Sequence, residues 1–187
     1  LKLIVGLGNP GVEHRQSRHN IGFHVAQAFA GVRHMSVWRR RFLGKYMSGD
    51  GWSLLLPLTY MNLSGLAVAK AARILPAQPE EILVLHDDVD ITLGQLRFKH
   101  GGSSGGHKGL ESIIGSLGDS GFDRLRFGVG REGNMKALDF ILDPFNSEDE
   151  VNLPILLEHA VEGIRLWLDQ GVEVCMNHFN RRNFLSP

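Results

Sequence analysis

Residues 2–7 form a nearly continuous apolar run that ends in the bend Gly6-Leu7-Gly8-Asn9-Pro10-Gly11, and an apolar helical pattern opens a few residues later at Ser17. A short apolar run bounded by glycine and proline reads as a buried strand. A strand that passes through a glycine bend into a helix commits this part of the chain to an α/β arrangement. Open sheets of that kind hold their ligands beyond the carboxyl ends of the strands. The amide of Asn9 and the imidazole of His19 fall there.

The spacing Gly6-x-Gly8-x-x-Gly11 also satisfies the dinucleotide-binding fingerprint. That fingerprint needs a loop opening directly into a helix, and an acidic residue about 20 positions on at the end of a second strand. Here Pro10 and the stretch Val12-Glu13-His14-Arg15-Gln16 delay the helix, and residues 31–41 are basic with no strand ending in Asp or Glu. The dinucleotide reading is set aside on those grounds.

Helical periodicity over 17–30 puts Ile21, Val25, Ala28 and Phe29 on one stripe, with Ser17 as the predicted N-cap. Residues 43–48 and 52–58 flank Gly49-Asp50-Gly51 and read as a hairpin. Further helices are predicted at 63–75, stopped by Pro76, and at 110–117, 135–142 and 147–168, with Pro144 and Pro154 as breaks or first-turn residues. Residues 81–85 read as a short apolar strand, and 95–99 and 124–129 as alternating ones. Strands and helices interleave without a repeat or low-complexity linker, and 187 residues at 43% hydrophobic suffice for one packed domain and are short for two. The expected fold is α/β: a single domain over residues 1–187, with a mixed, mostly parallel twisted sheet flanked by helices.

Cys175 is the single cysteine, so no internal disulfide forms, and no stretch reaches the roughly 20 apolar residues of a membrane span. With no secretory pattern at the first residues, and a Leu1 that points to trimming, the expectation is a cytoplasmic, monomeric protein that does not engage membranes. Formal net charge is zero, but the signs are segregated. Arg39-Arg40-Arg41, Lys45, Arg97, Lys99, Lys108, Arg124, Arg126 and Arg131 precede an acidic late helix carrying Glu148, Asp149, Glu150, Glu158 and Glu162. A local phosphate-binding face and an ordinary mixed-charge surface both fit this distribution.

Polar residues gather where the strands are expected to end: His19, then Tyr60-Met61-Asn62, then His86-Asp87-Asp88. A histidine near the positive end of a helix is held neutral and able to take a proton, and a carboxylate on its other nitrogen fixes the tautomer. Asp87 suits that part, with His86 and Asp88 as competitors. Asn9 and Asn62 are equally turn or cap residues and amides that hold a carbonyl oxygen or a water. The stretch Arg97-Phe98-Lys99-His100-Gly101-Gly102-Ser103-Ser104-Gly105-Gly106-His107-Lys108-Gly109 offers backbone N–H groups and cations to an anion, but lacks the ending of a P-loop.

Taken in order, Gly8-Asn9-Pro10-Gly11, Arg18-His19-Asn20, Tyr60-Met61-Asn62-Leu63-Ser64-Gly65, His86-Asp87-Asp88-Val89-Asp90, Gly105-Gly106-His107 and Arg124-Leu125-Arg126-Phe127-Gly128 resemble the bacterial-type peptidyl-tRNA hydrolases over nearly the whole chain. The resemblance implies hydrolysis of the ester between a peptide and the 3′-terminal ribose of tRNA, returning free tRNA to translation. It implies His19 as the group that activates water and Asp87 as its electrostatic support. Asn9, His14, Tyr60, Met61, Asn62 and Lys108 fall at substrate-binding positions, and Lys99 and Arg126 at a clamp for a tRNA phosphate. The partner is peptidyl-tRNA. No cofactor is implied, and no metal, since His14 and His24 have no carboxylate-rich ligand set beside them.

Two positions depart from the family's pattern. His14 stands where many members have tyrosine, and Lys108 where many have asparagine. Charged lysine donates but does not accept, so Lys108 implies retained but altered activity. A second class of relative, a non-catalytic RNA-binding splicing partner on the same fold, is the alternative; retention of His19, Asp87, Asn9 and Asn62 points to the enzyme.

Overall fold

A computed structural model describes residues 1–33, 37–130 and 133–186. Its strands are β1 (Lys2–Gly6), β2 (Arg39–Arg41), β3 (Gly44–Ser48), β4 (Trp52–Pro57), β5 (Ile82–Asp88), β6 (Leu96–His100) and β7 (Asp123–Gly128). The helices are α1 (Ile21–Val32), α2 (Ser64–Ile74), α3 (Lys108–Leu117), α4 (Ala137–Leu142), α5 (Ser147–Gln170) and α6 (Val172–Phe179). All seven strands join one sheet in the order β2-β3-β4-β1-β5-β7-β6. The pairs β4/β1, β1/β5 and β5/β7 are parallel, while β2/β3, β3/β4 and β6/β7 are antiparallel. The single-domain α/β fold with a mixed, mostly parallel sheet is therefore the one expected from the sequence.

Strand alternation divides the core. Ile4, Leu54, Leu83, Leu85, Phe98, Leu125 and Phe127 pack with residues of α1, α5 and α6, and Leu3, Val5, Leu55, Ile82 and Val84 pack with residues of α2 and α3. Each large apolar side chain fully withdrawn from water contributes roughly 1.5–3 kcal/mol. On the second face, no side chain of β6 or β7 enters the apolar cluster among the described residues. Arg97 and Lys99 lie opposite Arg126 and Arg124 in the β6/β7 register, so four cations occupy that uncovered part of the sheet. The layering thus leaves a polar concavity beside the carboxyl end of β5.

Close approach of backbone brings the site together. A Cβ on Gly22 would lie 2.3 Å from the Leu85 carbonyl oxygen and 2.6 Å from the Leu7 nitrogen, so only glycine lets α1 begin against the ends of β1 and β5. At the crossing of α2 and α3, a Cβ on Gly65 would lie 2.0 Å from the Ser112 carbonyl oxygen.

Several local expectations are corrected. The helix predicted from Ser17 is split into a 3-10 turn, Arg18–Asn20, followed by α1. Ser17 caps neither with its side chain: the Asn20 N–H donates to the Ser17 backbone carbonyl at 3.0 Å, the Arg18 N–H donates to the Asp143 carbonyl at 3.0 Å, and the Ser17 hydroxyl has no partner among the described residues. His86, Asp87 and Asp88 are the last residues of β5 rather than a following turn. Arg39-Arg40-Arg41 form the edge strand β2, at the opposite end of the sheet from β6, so they and the cations of β6 and β7 do not make one basic face. Pro154 sits inside α5 without ending it, since Leu156, Ala160, Ile164 and Trp167 bury the helix beyond that point. Helix α6 was not expected. The following segment returns to the body, where the Phe184 N–H donates to the Gly94 carbonyl at 2.8 Å. Arg131 lies outside the described residues.

Candidate active site

Amide groups lock together the loops that leave β1 and β4. The Asn9 backbone N–H donates to Asn20 Oδ1 at 2.8 Å, and Asn20 Nδ2 donates to the Asn9 carbonyl at 2.9 Å. Asn9 Oδ1 in turn accepts the Met61 N–H at 2.7 Å. With one lone pair of its oxygen engaged by Met61, Asn9 can present its Nδ2 donors to a ligand.

His19 lies in the 3-10 turn between these loops, 4% exposed, and its Nδ1 is 2.9 Å and 3.0 Å from the two carboxylate oxygens of Asp87. A carboxylate accepts only, so the His19 proton sits on Nδ1 and the Nε2 lone pair is the free one. The turn is pinned from the other side by Arg18, whose guanidinium stacks 3.8 Å over the Phe140 ring and donates to the Phe140 carbonyl at 3.0 Å. That contact carries α4 to the rim of the site.

Asp87 has a second partner. His107 Nε2 lies 2.9 Å from Asp87 Oδ1, while His107 Nδ1 accepts the N–H groups of Gly109 and Leu110 at 3.1 Å and 3.3 Å as the N-cap of α3. Burial works to raise the Asp87 carboxyl, but the attraction of the His19 and His107 rings when they carry a proton, and the hydrogen bonds from both, outweigh it and hold the group far below the usual carboxylate range. His86 donates from Nδ1 to the Asp87 carbonyl at 2.8 Å. Burial, followed by the neighbouring His107, pushes His86 down from 6.5 to about 3, so its ring is neutral.

Ligand atoms of His19, Asp87 and His107 lie within 4.8 Å of one another, close enough to surround an ion. The hydrogen bonds argue against that use. With Nδ1 accepting from α3, the one proton of neutral His107 is on Nε2, the nitrogen that a cation would need.

Beside these groups opens a cavity of about 400 Å³, lined by His19, Asp87 and His107, by Lys99 and Arg126 on the uncovered sheet, and by Leu138 and Ile141 of α4. Arg126 Nε is paired with Asp88 Oδ2 at 2.9 Å, leaving its terminal nitrogens for a ligand. Lys108 also lines the cavity and pairs with Glu111 at 3.1 Å, but both side chains are largely exposed, so that bond holds the ammonium only weakly. The Arg124 guanidinium donates to the carbonyls of Gly102 and Ser103 and so fixes the glycine-rich loop over the cavity.

The structure thus brings His19, Asp87, Lys99, Arg126 and Lys108 to one cavity and leaves Asn9, His14, Tyr60, Met61 and Asn62 off its lining. Met61 is buried against Gly109 at the start of α3, Tyr60 and Asn62 are exposed, and His14 lies 3.8 Å from Glu13. Sequence reasoning assigned no part to His107, Asn20, Arg18 or the Asp88 contact to Arg126. The signal for His107 was its place between a glycine-rich loop and a helix, which an imidazole seldom marks as a cap.

A family model described as peptidyl-tRNA hydrolase matches residues 3–186. The chain is 43% identical over 190 residues to a peptidyl-tRNA hydrolase of Syntrophotalea carbinolica, covering 99% of this chain and 100% of that protein. It is 42% identical to one of Symbiobacterium thermophilum, covering 96% and 98%. The crystal structure of peptidyl-tRNA hydrolase from Acinetobacter baumannii superposes with a TM-score of 0.88 at 34% identity, covering 98% of this chain and 96% of that one.

Proposed function

The chain belongs to the peptidyl-tRNA hydrolase family, and from that premise we propose how its residues divide the work. It is a hydrolase that cleaves the ester of peptidyl-tRNA. The observation that carries the assignment of roles is the buried His19–Asp87 pair, with a free Nε2 on a cavity whose other wall is cationic. His19 Nε2 takes a proton from water as its oxygen attacks the ester carbonyl carbon. The acyl carbon–oxygen bond to the ribose 3′-oxygen then breaks, and the imidazolium returns its proton to that oxygen, leaving a peptide acid and a free tRNA hydroxyl.

Asp87 stabilises the imidazolium as it forms and keeps the reactive tautomer. Asn9 offers Nδ2 to the substrate beside Met61, and Tyr60, Asn62 and His14 extend that contact surface outside the cavity. Lys108 supplies a cation to the developing oxyanion or to a nearby phosphate. Arg126, whose terminal nitrogens have no partner among the described residues, and Lys99, which has no ion pair among them, hold a tRNA phosphate. Every residue of this scheme lies on one chain, which supports action as a monomer, and the tRNA substrate supports action in the cytoplasm. No described helix is long and apolar enough to cross a membrane. The non-catalytic RNA-binding reading is not favoured, because the relatives compared are hydrolases and the His19–Asp87 pair is intact.

The test is hydrolysis of N-acetyl-aminoacyl-tRNA in water enriched in oxygen-18. One labelled oxygen in the released acid and none in the tRNA is the expected result. Tight tRNA binding without release would return the protein to the RNA-binding class.

A further inference from the structure

We propose that His107 is a positioning residue that lowers the basicity of His19 by sharing Asp87 with it, and that it couples this setting to the N-terminus of α3. With His19 as the base, the reading on which this rests, Asp87 Oδ1 is the atom that matters. It accepts His19 Nδ1 at 2.9 Å and His107 Nε2 at 2.9 Å. An oxygen that accepts two N–H donors gives less electron density to each. His107 therefore weakens the pull of Asp87 on the His19 proton and reduces the stabilisation of the His19 imidazolium.

The α3 backbone fixes the direction of this effect. The N–H groups of Gly109 and Leu110 donate to His107 Nδ1 at 3.1 Å and 3.3 Å, so His107 can present only an N–H to Asp87. The positive end of the helix dipole acts in the same sense. Both ring nitrogens are thereby engaged, and no polar atom of His107 is left to contact substrate. His107 acts through Asp87. Its ring also stands 5.0 Å from the neutral His86, edge to face, and 4.9 Å from His19, which fixes its plane.

The other charged or titratable groups facing the three residues are His86, Asp88 and Asp90 near the end of β5, Lys99 of β6, Arg124 and Arg126 of β7, and Lys108 of α3. All remain in the variant that tests the idea. His107→Asn keeps a side-chain oxygen to cap α3 but is too short to reach Asp87. The acid limb of the single-turnover rate is expected to move to higher pH by about one unit, a tenfold change in proton affinity, while binding of uncharged tRNA stays within about twofold. His107→Gln, long enough to donate to Asp87, should move the limb back toward the wild-type position.

An unmoved limb in a folded His107→Asn protein overturns the proposal, as does a rise in KM with no shift of the limb, which would make His107 a substrate contact. A limb that persists in the residual activity of His19→Ala overturns the base assignment itself, and the proposal with it. Nitrogen-15 spectra of the wild-type histidines need no variant: they should show a proton on Nε2 of His107 and on Nδ1 of His19. A proton on His107 Nδ1 contradicts the proposal.

Discussion

Replacing Asp87 by asparagine removes one charge from the centre of the site while keeping its shape. In the transition state His19 becomes an imidazolium beside a carboxylate that is 2.9 Å away at its nearest oxygen. At a charge separation of about 4 Å and an effective dielectric of about 20, that attraction is about 4 kcal/mol. An asparagine oxygen still accepts an ordinary hydrogen bond of about 1 kcal/mol. The net loss of about 3 kcal/mol corresponds to a fall of roughly two powers of ten in kcat. Single-turnover release of an N-acetylated amino acid from its tRNA measures the rate, with circular dichroism and tRNA binding as controls for fold and affinity. The acid limb of the rate should also move to lower pH, opposite to the shift expected for His107→Asn. A folded Asp87→Asn protein that loses less than about tenfold in kcat would refute the electrostatic role.

Other outcomes follow from the cavity and its surroundings. Lys99→Ala and Arg126→Ala should each raise KM several-fold with little change in kcat, and each should reduce the slope of log affinity against log salt by about one phosphate contact; salt titrations of tRNA binding check this. Lys108→Asn should change turnover or tRNA affinity by about threefold or more, since it removes a cation from the cavity wall; identical kinetics and binding would exclude Lys108 from substrate contact. His86 bears on acid stability. The folded ring stays neutral down to about 3 whereas the unfolded one takes a proton near 6.5, so the unfolded state binds more protons between those values and stability rises with pH across that window. Between pH 8 and pH 5 the contribution is a loss of about 2 kcal/mol, and His86→Asn should flatten the denaturant-midpoint profile there. The depressed Asp87 carboxyl acts in the same direction but below its ordinary value of 3.8, so the two windows are separable.

What the sequence revealed follows from the period of its patterns. The apolar runs at β1 and β5 and the Gly49-Asp50-Gly51 hairpin were legible because buried strands and tight turns have local signatures. Strand β2 was not, since its three exposed arginines show no apolar alternation and join the sheet through backbone pairing with β3. The helix start at Ser17 was misplaced because the turn there is tied by the Arg18 N–H donating to the carbonyl of the distant Asp143, which no local window contains. At the site, His19 and Asp87 were brought forward as candidates by residue type and family resemblance together, and the structure pairs them. Their partner His107 was passed over because its cap contacts and its contact to Asp87 exist only once α3 docks against the end of β5. Lys99 and Arg126 were legible as candidate cations from residue type, but the pairing of Arg126 with Asp88 was not, as it depends on the β5/β7 register.

The most direct test of the account is single-turnover hydrolysis of one acylated tRNA by the wild-type protein and by His19→Ala, at two salt concentrations, with tRNA binding measured on the same samples. Release should fall by about two to four powers of ten in His19→Ala, the range expected for loss of a general base, while tRNA binding keeps its affinity and its salt dependence. Release at near wild-type rates from a folded His19→Ala protein would contradict the assignment of His19 as the group that activates water.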